Sequence, residues 1–347
     1  MRVYFFLFLF LILQLPEACD RNESVDLELD KDELILEVGS KDIIKVTKAP
    51  NTGEAVVWSS DNDKVVSVFF GTITALAPGT AIIKATLGEL VDSCVVTVPE
   101  REYELVWSDE FDGSSLNTDN WTYETGTGSW GWGNNEKEYY TSRSENIRVE
   151  NGMLVIEARK ESYSGSSYTS ARIKSLNKQE FAYGKIEARL RLPKGAGTWP
   201  AFWMLGKVGS WPGCGEIDIM EHVGKEPKNI HCALHTLNKN GMNGKNFSAT
   251  QTLEVNAADD FHVITLEWIE NEFQGYDRMH FYVDGVETAT FGETAQLQDS
   301  KDWPFNTPFF FIINLAIGGN WGGTIDDTMF DNPVLYQIDY IRVYQYK

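Results

Sequence analysis

The sequence predicts an all-β protein of two β-sandwiches in tandem, a small one over residues 24–99 and a large one over 103–347. Three observations carry this. Short β-rich runs follow one another between residues 26 and 98, separated by turn residues such as Asn51-Thr52-Gly53 and Pro78-Gly79. Strand periodicity then continues through the rest of the chain, cleanest in Lys185 to Leu192 and Ile338 to Val343, with Phe309 to Ile317 reading as a buried strand. No strong amphipathic helix interrupts the pattern.

Ahead of the strands, Arg2 precedes an apolar run from Val3 to Leu13, which ends in Leu15-Pro16-Glu17-Ala18-Cys19. Residues 1–19 read as a secretory signal peptide, too short and wrongly flanked for a membrane span. Cys19 stands where a lipoprotein signal places its lipid-modified cysteine, although Pro16-Glu17-Ala18 is a poor lipobox. The expectation is an exported outer-membrane or cell-surface lipoprotein anchored through Cys19, the alternative being cleavage after Ala18 and secretion. No later segment is long and apolar enough to span a bilayer.

Within 26–98 the runs Leu27-Leu29, Leu34-Leu36, Ile43-Ile44-Val46, Val56-Trp58, Val65-Val68, Ile73-Ala75, Ile82-Ala85 and Val91-Val98 suit an immunoglobulin-like sandwich. Val57-Trp58-Ser59-Ser60-Asp61-Asn62 and Gly71-Thr72-Ile73-Thr74-Ala75-Leu76-Ala77-Pro78-Gly79-Thr80-Ala81 resemble the bacterial Ig-like group 2 domain. That resemblance implies a spacer or adhesion module without a catalytic set, and Trp58 is read as core. Pro99-Glu100-Arg101-Glu102 is a short polar junction.

The chemistry sits in Glu216-Ile217-Asp218-Ile219-Met220-Glu221. Glu216 and Asp218 alternate with Ile217 and Ile219, so a strand places the acids on one face and the isoleucines on the other. Glu221 breaks the parity and would point an unpaired carboxylate into the core, which is costly. A one-residue bulge around Ile219–Met220 returns it to the acid face, and bulges are common beside active sites. The two glutamates then lie four strand steps apart, roughly 13 Å between Cα atoms. Leaning inward, their carboxylates approach to about 5–6 Å, near the spacing of a retaining glycosidase. Asp218 between them can raise a partner's pKa or share its proton. Two other readings stand beside this one. One is a solvated polar strand face. The other is a short helix with Asp218 and His222 as metal ligands, against which Gly215, Gly224 and the β-branched isoleucines argue.

In Trp199-Pro200-Ala201-Phe202-Trp203-Met204-Leu205, Trp199, Ala201 and Trp203 share one face, and Phe202 and Met204 the other. Two tryptophans flanking a small residue make either a stacking floor for a sugar or a buried pair between sheets. The aromatic content of 13% with eleven Trp suits sugar platforms, though most such residues are core in any protein. A formal charge of −21 excludes non-specific binding to nucleic acid or anionic lipid. Beyond Cys19 the cysteines are Cys94, Cys214 and Cys232; their spacing is not a zinc pattern, and Cys214 and Cys232 read equally as a disulfide or as free buried thiols.

Gly215 to Glu221, preceded by Trp211-Pro212, resembles the active-site signature of glycoside hydrolase family 16. The other landmarks follow in order: Leu105 to Phe111, Asn134 to Thr141, Ser170 to Ile173, Trp199 to Trp203, Ala233 to Thr236, Asn314 to Trp321 and Ile338 to Gln345. The resemblance spans the whole second domain. It implies a concanavalin-like β-jelly-roll and retaining endo-hydrolysis, with Glu216 as nucleophile, Glu221 as general acid/base and Asp218 balancing the proton between them. Glu221 must be protonated at rest, so a pKa raised by its acidic neighbours is expected.

The same resemblance implies sugar contacts from Trp199, Trp203, Trp211, Arg172, Asn135 and Trp321, with His235 near Glu221 on the leaving-group side. Arg172 could instead serve only to pair with an acid, and His235 be a satisfied strand histidine. No catalytic cofactor is implied. A structural calcium is, at Glu110, the Gly152 carbonyl and Asp339, all oxygen donors as calcium requires.

The six-residue strand with its bulge resembles laminarinases and marine galactan hydrolases, and Asn314 to Trp321 with Trp211-Pro212 resembles the laminarinase-like branch, so β-1,3-glucan (laminarin) or mixed-linkage β-1,3/1,4-glucan is the expected partner and a monomer the expected state. Glu138 is a departure, standing where that branch often carries glutamine. The alternatives are an algal galactan hydrolase, which should show more basic residues at its motifs, and a non-catalytic β-glucan-binding protein, which should have lost the glutamates.

Overall fold

Alternating apolar and polar residues become alternating burial. In the strand Gly184–Arg191, Ile186, Ala188 and Leu190 are fully buried while Lys185, Glu187, Arg189 and Arg191 face outward. The computed structural model describes residues 26–273, 275–297 and 299–347. The signal segment 1–19, Cys19 and the first two residues of the 24–99 domain lie outside the described residues. The chain divides into two units, one holding most of the residues up to Val98 and the other running from Pro99 to Lys347.

The first unit is a sandwich of short strands. A four-stranded sheet runs in the order Glu33–Ile35, Leu90–Val98, Gly79–Leu87, Val57–Ser60, and a three-stranded sheet in the order Lys41–Ile43, Thr72–Ala75, Val66–Phe69. Ala81, Ile83, Ala85, Val96 and Ile73 fill the interior. The expected immunoglobulin-like sandwich is present.

The second unit is a two-sheet jelly roll. A ten-stranded sheet is centred on Val334–Tyr346, which pairs with Tyr103–Asp109, Met153–Tyr163 and Gly184–Arg191. The eight-stranded sheet runs Thr122–Glu124, Arg172–Lys174, Phe309–Ile317, Thr198–Gly206, Glu216–Glu221, Asn229–His235, Phe247–Thr252, with Glu180–Phe181 added beside Phe309–Ile317. Among the described residues helix is limited to short turns.

Phe309–Ile317 is buried along its whole length because it is covered on both faces. Phe309, Phe311, Ile313, Leu315 and Ile317 enter the core between the sheets, together with Phe202, Met204, Ile217, Trp268 and Tyr336. Phe311 is the hub: its ring stacks on Phe202 at 5.4 Å and Trp107 at 6.0 Å, and tilts against Phe181 at 5.7 Å. Phe311→Ala is therefore expected to lower stability by about 3–5 kcal/mol, read as a reduced denaturation midpoint at unchanged m. A loss below about 1 kcal/mol would show that this core collapses around the cavity.

Cys94, Cys214 and Cys232 are all buried free thiols. Register explains why Cys214 and Cys232 stay apart. Glu216 pairs with His235, so Cys214 lies beyond that end of the pairing while Cys232 lies inward of it. Their Cα atoms are then separated by on the order of 10 Å or more, too far for a disulfide.

Candidate active site

A cleft of about 770 Å³ opens on the face of the eight-stranded sheet that points away from the core. Its floor is the strand Thr198–Gly206, from which Trp199, Ala201, Trp203 and Leu205 all line the cleft. Phe202 and Met204 point the other way into the core, as the period of two requires. Of the two readings of Trp199 and Trp203, the stacking floor matches their placement.

The neighbouring strand Glu216–Glu221 contains the bulge. On one side, Phe202 pairs with Met220 and Trp203 with Asp218, so Ile219 has no opposite number. On the other, Asp218 pairs with Ala233 and Glu221 with His231, three residues advancing against two. The extra residue turns Glu221 to the cleft, where it joins Glu216 and Asp218. Ile217, Ile219 and Met220 are buried in the core. The segment is a strand, and buried His222 turns away to Asn229 O at 2.7 Å, which removes the helical metal-ligand reading. Gly215 precedes the strand with φ +81°, and a Cβ there would lie 2.7 Å from Pro304 Cγ and 2.9 Å from Phe309 Cζ, so only glycine fits.

The three carboxyls share a desolvated pocket. Burial pushes Glu221 up to about 8, reinforced by Asp218 and opposed by the Trp199 indole N–H, which donates to Glu221 Oε1 at 3.0 Å. Burial pushes Asp218, 4% exposed, up to about 8 as well. It also raises Glu216 well above the ordinary range, with Asp218 adding to the effect and His235 opposing it. Burial thus outweighs the acidic neighbours that the sequence pointed to. Three such groups cannot all ionise, so the cluster retains protons at neutral pH.

His235 lies beside Glu216 and Asp218, contrary to the expectation that it neighbours Glu221. Its Nε2 is 3.2 Å from Asp218 Oδ2 and 3.8 Å from Glu216 Oε1, because His235 pairs with Glu216 across the sheet. Its Nδ1 accepts the Gly241 N–H at 3.0 Å, which leaves the ring proton on Nε2, the nitrogen nearer the acids. Ligand atoms of Glu216, Asp218 and His235 lie within 4.8 Å of one another, as a cation site needs. Yet the histidine presents a proton there rather than a lone pair, which suits hydrogen bonding and not coordination. The histidine opposite Glu221 is His231, which packs edge-on against Trp321 at 4.9 Å.

Trp321 meets Trp199 edge-to-face at 5.6 Å and lines the cleft. Trp211, 39% exposed, lines it also, next to a cis bond to Pro212. Arg172 pairs with an acid and also lines the cleft. Its Nε binds Glu124 Oε2 at 2.6 Å, and its guanidinium lies over the rings of Trp132 and Trp203, 4.5 and 5.0 Å from their centroids.

Asn135 is a correction. Its left-handed backbone (φ 57°) turns its side chain to Asn320 Oδ1 at 2.7 Å, and it is Asn134 and Asn320 that line the cleft. Trp132, His231 and Asn314 line it as well and were not picked out from the sequence. For Asn314 a signal existed: it is the one polar side chain inside the apolar run Phe309–Ile317.

The calcium set does not fit as arranged. Arg342 holds both oxygens of Glu110, at 2.9 and 2.8 Å, and Arg189 holds Asp339 at 2.6 Å. A cation there would have to displace two guanidiniums. Gly152, the third member, sits at a turn with φ +72°.

A cluster of three carboxyls, Asp218 buried and Glu216 and Glu221 half-buried, in a tryptophan-walled cleft is the equipment for protonating and attacking a glycosidic bond. Residues 134–342 match the family described as glycosyl hydrolases family 16, more than half of the chain. The chain belongs to this family. This family 16 hydrolase carries a bacterial Ig-like domain (group 2) over residues 26–98. A beta-glucanase of Rhodothermus marinus is 44% identical over 254 residues, covering 70% of this chain and 86% of that protein. Among solved structures, the laminarinase of Rhodothermus marinus superposes with a TM-score of 0.66 at 42% identity, covering 71% of this chain and 99% of that one. A laminarinase from Flavobacterium sp. UMI-01 gives 0.63 at 44% identity, over 70% and 100%. The chain is a glycoside hydrolase.

Proposed function

We propose that this hydrolase is a retaining endo-β-1,3-glucanase that cleaves laminarin and accepts mixed-linkage β-1,3/1,4-glucan. The observation that carries the reading is the bulge at Ile219, which brings Glu216 and Glu221 onto one cleft face. The similarity to proteins named beta-glucanase and laminarinase supports the choice of substrate.

In this reading Glu216 attacks the anomeric carbon as a carboxylate. The C1–O bond breaks, and Glu221 passes its proton to the departing oxygen, leaving a glucosyl ester on Glu216. Glu221, now ionised, takes a proton from water; the water oxygen attacks C1, the ester bond breaks and Glu216 is released as a carboxylate. Two inversions give retention. Asp218 keeps its proton in this reading and offers it to Glu216, and His235 Nε2 lies near both acids. Together they favour the anion on Glu216 at the moment of attack.

The test is a product profile on laminarin, lichenan and agarose, with anomeric configuration followed by NMR. Mixed oligosaccharides appearing early from laminarin, with the β-anomer formed first, are expected. Agarose as the preferred substrate, or an α-anomer as first product, would sink the proposal.

A further inference from the structure

A second pair of carboxyls, which the reaction does not use, lies at the edge of the cleft: Glu136 lines it and Glu138 is sealed in behind. Glu138, in the strand Glu138–Tyr140, is 1% exposed. Its Oε2 accepts the Ile317 N–H at 2.6 Å, while its Oε1 is sealed in with no donor. The carboxyl of Glu136 is its neighbour.

Glu136 ends a relay that starts in the cleft. The Trp203 indole N–H donates to Asn314 Oδ1 at 2.8 Å, and Asn314 Nδ2 donates to the Tyr140 hydroxyl at 3.2 Å. The Tyr140 O–H donates to Glu136 Oε2 at 2.9 Å, and Asn134 Nδ2 donates to Glu136 Oε1 at 3.2 Å. Each donor points toward Glu136, so Glu136 is the anion at the end of the chain.

A second buried anion beside it would go uncompensated. Arg172, the cation facing this cluster from the adjoining strand, is spent on Glu124. Lys137, between the two acids, is exposed. The strands Phe309–Ile317 and Thr198–Gly206 bring Asn314, the Ile317 amide and Trp203, none of them charged.

We propose that Glu138 is a neutral acid whose proton is shared with Glu136, and that this pair is a positioning unit that sets Asn314 and Trp203 for the sugar on the cleft floor. The role deepens the endo-glucanase reading and rests on it for the choice of ligand. Glutamine at 138 can reproduce both contacts, its N–H donating to Glu136 and its carbonyl accepting from Ile317. Leucine can reproduce neither.

The experiment measures kcat and KM for laminarihexaose from pH 5 to pH 9 in wild type, Glu138→Gln and Glu138→Leu, and records the infrared band of a buried protonated carboxyl. As pH rises the shared proton is lost, the two carboxylates repel and the floor loosens. Wild-type KM is therefore expected to rise toward pH 9 while that of Glu138→Gln stays at the neutral-pH value. Glu138→Leu should raise KM about tenfold with kcat changed far less. The infrared band attributable to position 138 should be present in wild type at neutral pH and missing from Glu138→Gln. The same alkaline rise of KM in Glu138→Gln, or no such band in wild type, would overturn the proposal. If Glu138→Leu does not fold, the glutamine comparison still decides. If wild type does not cleave laminarihexaose at all, the functional reading fails, and the infrared band still decides the proton.

Discussion

Glu216→Ala is expected to lower laminarin hydrolysis about 10⁴-fold or more while laminarihexaose binding stays within a few fold. In the proposed mechanism the Glu216 carboxylate forms the covalent intermediate, so losing it removes a whole step rather than a contact. Its neighbours should hold their places. Ile217 and Ile219 anchor the strand in the core, and the tryptophan walls come from other segments. Removing one of three crowded carboxyls also relieves repulsion, so the variant should be no less stable than wild type. Azide entering the vacated space would attack C1 from the same face and give an α-glucosyl azide, which marks Glu216 as the nucleophile. An undiminished rate, or azide rescue with the opposite configuration, would refute the assignment.

The second large effect concerns pH. Glu221 must carry its proton to act as the acid, and its pKa of about 8 means that it does so through the neutral range. The value kcat/KM should fall about tenfold per pH unit above that point. Stability follows the same protons with a definite sign. Asp218 and Glu221 are both raised to about 8 in the folded protein, above their unfolded values of about 4. Between those limits the folded state binds more protons than the unfolded one. Stability is therefore greatest at the acid end of this window and declines as pH rises through it. Denaturation at pH 5 and pH 8 should show the loss, and Glu221→Gln should remove part of it. Equal stability at both pH values would mean that the cluster ionises without penalty.

Much of this site was legible in the residues. The parity fault at Glu221 called for a bulge, and the bulge is there. The faces of Thr198–Gly206 followed from alternation, and Trp199 and Trp203 line the cleft as one of the two readings required. What misled was anything that depended on a partner strand. His235 was assigned to Glu221, yet pairing across the sheet sets it opposite Glu216 and gives Glu221 to His231. Asn135 turns to Asn320 while Asn134 lines the cleft, and that left-handed backbone turn cannot be read from an Asn-Asn pair. The oxygens of Glu110 and Asp339 looked free for calcium until Arg342 and Arg189 took them.

The sequence by itself determined the all-β class, the two-unit division, the acid strand and which residues of each strand share a face. Each of these depends only on period and local backbone preference, and both act within a few residues. Tertiary structure alone decided which histidine meets which carboxyl, how Arg172 is held between two indoles, and that a relay from Trp203 ends on Glu136. Those contacts join segments far apart in the chain. Their register is set by bulges, by turns and by the packing of Phe311 and its neighbours, and the burial that packing creates is what keeps protons on the carboxyls of Glu216, Asp218 and Glu221.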